Sequence, residues 1–234
     1  MTTHSIVSLG VLPLFCAASV AQLTAPQPKA PAAIPMPAWR AAESYAIYSK
    51  AMPLGETASP GWPHDLWLIK DATITAVRPN EPCHTDPKSS DKYSTSMNPH
   101  IGVHPPKQYE QDFREILADF DAHCHESVTL DASLFETPVP VRLLSPAEQN
   151  EFRFVHNNSP SSFTPQMANA AEKFRGAPAL YGFSEVYFNA HQTVALVYAT
   201  HWCGSLCGQG MWLAFALENG NWKRLTWNAT TWIS

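Results

Sequence analysis

Along residues 184–234, apolar side chains recur at every second position, and that alternation predicts β-strands. Val194, Leu196 and Tyr198 interleave with Ala195, Val197 and Ala199, so both faces are apolar and the segment reads as a central strand covered on both sides. Met211, Leu213, Phe215 and Leu217 interleave in the same way with Trp212, Ala214 and Ala216. The tetrad Glu218-Asn219-Gly220-Asn221 that follows suits a tight hairpin, because Asn-Gly accepts the positive φ angles such turns require. Trp222, Arg224 and Thr226 then alternate with Lys223, Leu225 and Trp227, as in a more exposed strand. Residues 185–188 precede another turn at 189–192. Connections this short force neighbouring strands to run antiparallel, which predicts a meander of about four strands.

Upstream the period changes. Residues 41–52 place Ala42, Tyr45, Tyr48 or Ser49, and Met52 along one helical face, and Pro53 stops the helix. Residues 66–77 are β-rich and read as one strand, or as two joined near Lys70-Asp71. In residues 107–122, Tyr109, Phe113, Ile116, Leu117 and Phe120 form a stripe at helical spacing, opposite Glu110, Arg114, Glu115 and Asp119; such a stripe packs into a core. Short strands are expected at 127–130 and 139–144. Ser145-Pro146-Ala147-Glu148 is a capping box with Pro at the first helical position, so a helix begins there. Thr164-Pro165 opens a further helix that Gly176 ends. Between the 66–77 strand and the 107–122 helix, residues 78–106 hold six prolines (Pro79, Pro82, Pro87, Pro99, Pro105 and Pro106), and a loop of this length is usually functional or mobile.

These elements imply one α+β domain over 41–234, with an antiparallel C-terminal β-meander packed against several helices. Residues 22–40 carry Pro26, Pro28, Pro31, Pro35 and Pro37 among alanines, a Pro/Ala-rich linker that prefers extended backbone. Residues 1–21 read as a signal peptide: an apolar run from 6 to 18, then Ser19-Val20-Ala21 with small residues before Gln22. The run has no preceding Lys or Arg and is broken by Pro13, so an ordinary buried N-terminal helix is the alternative. Bulky Phe15 argues against lipid attachment at Cys16. The predicted location is secreted or periplasmic, with no transmembrane anchor after signal cleavage.

Composition narrows the classes. The chain has 234 residues, 45% of them hydrophobic, with eight Trp and eleven Phe, which is enough to build a sizeable core. Charged residues make up only 15% and the net charge is −5, which argues against nucleic acid as a partner. Cys83, Cys124, Cys203 and Cys207 remain after signal removal; an even number in an exported chain suggests disulfides, with three possible connectivities. The pairing favoured here is Cys203–Cys207 with Cys83–Cys124. Two cysteines four apart among glycines fit a small disulfide loop at a hairpin end better than a reactive thiol pair, which would sit three apart at a helix start.

No nucleophile elbow, phosphate loop or paired-carboxylate motif stands out, which points away from an enzyme and from any cofactor. The alternative is a metal-dependent (zinc or copper) enzyme or carrier built from histidines and cysteines. Its candidate ligands are His84, His123 and His125, with His100, His104 and His201 further off; no complete tetrahedral set is evident.

The segments Tyr45-Ala46-Ile47-Tyr48, Ser184-Glu185-Val186-Tyr187-Phe188-Asn189, Ala195-Leu196-Val197-Tyr198, Cys203-Gly204-Ser205-Leu206-Cys207-Gly208 and Trp232-Ile233-Ser234, together with Trp222 and residues 66–75, resemble a group of exported bacterial proteins of unknown function. The resemblance implies an exported α+β domain and no particular reaction. The leading expectation is therefore a disulfide-stabilised, non-catalytic exported domain that binds an envelope or extracellular component.

Overall fold

The structure, a computed structural model, describes residues 32–75, 77, 82–83, 98–158, 160–229 and 231–233. The stretch read as a signal, 1–21, lies outside them, as do His84 and much of the 78–106 loop. The first half holds β1 (Ile34–Pro35), α1 (Ala38–Ala51), β2 (Trp67–Lys70), α2 (Pro99–Gly102), β3 (Val103–His104), α3 (Glu110–His123) and β4 (Val128–Thr129). The second half holds β5 (Val141–Leu144), α4 (Pro146–His156), α5 (Pro165–Glu172), β6 (Leu180–Phe188), β7 (Val194–Trp202), β8 (Gly208–Glu218), β9 (Asn221–Leu225), β10 (Asn228–Ala229) and β11 (Thr231–Ile233).

β6 through β9 form the expected antiparallel meander. Gln192 (φ 53°) takes the left-handed turn before β7, and Asn219 with Gly220 (φ 52° and 74°) makes the hairpin between β8 and β9. The sheet is larger than the meander. β2 runs parallel to β6 on one side and to β5 on the other, giving a mixed sheet of seven strands. A rule based on short connections says nothing about these strands, because their partners lie far along the chain. β11 pairs with the start of β8 and β9 with its end, so the two short strands share one edge of β8. Between them β10 steps aside to pair with β3.

Two cores sit on opposite faces of this sheet, as the doubly apolar β7 requires. Ala195, Val197 and Ala199 join Tyr45, Ile47 and Tyr48 of α1. Val194, Leu196 and Tyr198 join Phe113, Ile116 and Phe120 of α3. A third cluster, around Leu68, Phe152, Phe174 and Leu180, fastens α4 to the β2 end of the sheet. The capping box at Ser145 forms as expected, with Ser145 and Glu148 each satisfying the other's backbone N–H.

The described elements include part of the stretch read as a linker. Ile34–Pro35 pairs with Val128–Thr129, and Arg40 lies buried in the first turn of α1. An extended, proline-bearing segment is well suited to a two-residue edge pairing.

Candidate functional site

The β7–β8 turn carries the Cys203–Cys207 disulfide, with Cα atoms 5.1 Å apart. Gly204 takes φ +142° there, in open space, where a side chain would be strained. Just before the turn, His201 of β7 lies buried and in register with Gln209 of β8. Gly55 presses on both side chains: a Cβ at that position would run into Gln209 Oε1 and His201 Cε1. Together with Leu206, Cys207 and Ile233 these residues line a pocket of about 280 Å³. Its rim is apolar and wet, with Leu206 88% and Ile233 76% exposed. One ring nitrogen of His201 and the sulfurs of Cys203 and Cys207 all lie within 4.8 Å of one another.

The second disulfide, Cys83–Cys124, ties α3 to the segment before α2 across 41 residues. His125 stands beside it, with its ligand nitrogen within 4.8 Å of both sulfurs and a buried Nδ1 that makes no hydrogen bond. His123 turns elsewhere: its Nδ1 lies 2.8 Å from the Asp119 carbonyl oxygen and 3.0 Å from Asp119 Oδ1. His123 ends α3 and His125 lies beyond it in the turn, so the two imidazoles paired by spacing take different partners.

A buried polar cluster surrounds a β-bulge in β6. Phe183 pairs with Ala199 and Val186 with Val197, which leaves one extra residue in the Ser184-Glu185 step. Glu185 is 4% exposed, its Oε1 has no hydrogen-bond partner, and its other oxygen lies 3.6 Å from Arg40. Arg40, 3% exposed, donates to Asp119 Oδ2 (2.6 Å) and to the Val186 carbonyl (2.7 Å). Burial pushes the Glu185 carboxyl above its ordinary value, and the Arg40 charge opposes that rise.

No family model, curated protein or solved structure matches this chain.

One further residue escaped the sequence reading. Lys70, at the end of β2, lays its stem against Gly182, and its amine is lowered to about 8 by burial and then by the Arg153 charge. The hint in the sequence is a lone cation closing the apolar run Leu66-Trp67-Leu68-Ile69. Among the described residues no helix is long and apolar enough to cross a membrane.

Proposed function

We propose that this chain is an exported, disulfide-stabilised, non-catalytic domain that binds a protein partner by accepting one apolar side chain into the pocket beside Cys207. The observation that carries this reading is the rim, where Leu206 and Ile233 stand exposed over a floor of His201 and Gln209. Exposed apolar side chains grouped around a concavity mark interaction surfaces more often than chance exposure does. A volume of about 280 Å³ lies at the small end for drug-sized ligands and suits a single anchoring side chain. The disulfide holds the rim loop in one shape, so less ordering is left for the binding event to overcome. The two disulfides support placement outside the cytoplasm.

Panning a displayed library of random peptides against the oxidised protein tests the reading. The peptides recovered should carry one apolar anchor, and Leu206→Asp or Ile233→Asp should each weaken their binding by about tenfold or more, as for a residue central to an interface. Selected peptides that bind both variants as well as the parent protein overturn it.

A further inference from the structure

We infer that the reduced form of the 203–207 loop is a copper(I) site, in which the thiolates of Cys203 and Cys207 and one ring nitrogen of His201 hold the ion. The disulfide is then the closed, metal-free state of the same three residues. This inference stands apart from the protein-binding reading, because metal uptake is measured on the protein alone.

The donors are already gathered. All three ligand atoms lie within 4.8 Å of one another. A trigonal site with metal–sulfur bonds of about 2.3 Å and a metal–nitrogen bond of about 2.0 Å needs ligand atoms about 3.7–4.0 Å apart. The sulfurs must therefore part by roughly 2 Å from bonding distance, and the imidazole must close by about an ångström or less. The loop can supply that movement. Gly204 has nothing within 4 Å of where a Cβ would sit, and Leu206 projects into solvent. His201, by contrast, is fixed on β7 among buried neighbours, so it serves as the preset ligand to which the sulfurs come. Soft thiolate donors select copper(I) and zinc among common metals. Zinc in structural sites takes four protein ligands, and this group supplies three. A three-donor set with two thiolates favours copper(I).

Opening the site consumes one dithiol reductant. A thiolate of that reductant attacks one sulfur of the Cys203–Cys207 bond and forms a mixed disulfide, and its second thiol then displaces the bound cysteine. The protein gains two electrons and two protons as two thiols, and the reductant leaves as its own disulfide. Copper(I) then displaces both thiol protons, so two protons are released for each ion bound.

Protein reduced with dithiothreitol, desalted without oxygen and titrated with copper(I) against a coloured copper(I) chelator gives the test. The reduced parent should take up one ion more than the reduced Cys203→Ser/Cys207→Ser variant, and protein with both disulfides intact should show no such uptake. X-ray absorption of the loaded protein should show two sulfur neighbours and one nitrogen. His201→Ala should weaken uptake at least tenfold; His201 is buried, so the absorption spectrum of the unmutated protein is the readout that does not depend on how that variant folds. Equal uptake by parent and double-serine protein overturns the site, as does equal uptake with the disulfide closed. Zinc(II) uptake with copper(I) refused overturns the choice of metal.

Discussion

Arg40→Met removes the guanidinium paired with the buried bulge in β6 while keeping most of the volume of the side chain. The substitution leaves the Val186 carbonyl without the guanidinium that donates to it and leaves Glu185 without its ion-pair partner. Removing one partner from a buried ion pair typically costs about 3–5 kcal/mol, because the charge left behind has already lost its water. Asp119 keeps the Phe188 N–H (2.8 Å) and His123, so the lower end, about 3 kcal/mol, is expected. For a domain of this size that corresponds to a fall in Tm of about 6–12 °C. The penalty must also depend on pH. Burial raises the folded-state pKa of Glu185, so its contribution is fully present below the unfolded value and is lost as pH rises through the folded one. Taking Arg40 away removes the charge that opposed that rise, so the penalty is greatest near neutrality and shrinks toward pH 5. Urea unfolding of the oxidised protein at both pH values measures this, and adding Glu185→Gln to the Arg40 variant should restore part of the loss at neutral pH. A loss under about 1 kcal/mol at neutrality, or a penalty that does not change with pH, would show that water already reaches the network and refute the reasoning.

Three further predictions follow from other parts of the molecule. The amine of Lys70 should titrate near 8 instead of 10.5 when followed by carbon NMR of the dimethylated lysines; because the fold prefers the neutral amine, wild-type stability relative to Lys70→Met should rise by about 3 kcal/mol as pH climbs between those values. Replacing Cys83 and Cys124 by serine should cost about 4 kcal/mol in denaturant unfolding, against about 2 kcal/mol for Cys203 and Cys207, since the first bridge closes a far longer loop. Gly210→Ala should cost about 1–3 kcal/mol and alter tryptophan fluorescence, because the added Cβ would overlap Trp232 Nε1 and the Tyr198 hydroxyl, which are hydrogen-bonded to each other.

Local signals were legible in the sequence and distant pairings were not. The meander, its two turns, the capping box and the Cys203–Cys207 loop rest on residues close together, and each appears in the structure; the exception is Cys83–Cys124, which bridges 41 residues. The parallel strands β2 and β5 join β6 only through packing that no local pattern records. The bulge hid a second feature. Tyr181 and Phe183 share a core with Val186 and Phe188, so the inward-facing positions switch from odd to even at Ser184-Glu185. All nine positions of this strand are buried, with apolar side chains at both odd and even positions, so counting by twos does not separate its two faces. The same blindness covers Arg40, whose partners Asp119 and Glu185 lie far along the chain, and Gly55, whose neighbours Gln209 and His201 lie on β7 and β8. His123 and His125 looked like a pair only because a sequence shows spacing and not direction.

The placement of β11 bears on biosynthesis. Proteins emerge from the ribosome N-terminal end first. Until residues 231–233 are free, the start of β8 has no neighbour on that side, Tyr198 lacks the Trp232 that caps it, and the pocket has one wall missing. The surface beside Cys207 therefore takes shape only after β11 has been translated and has docked on β8.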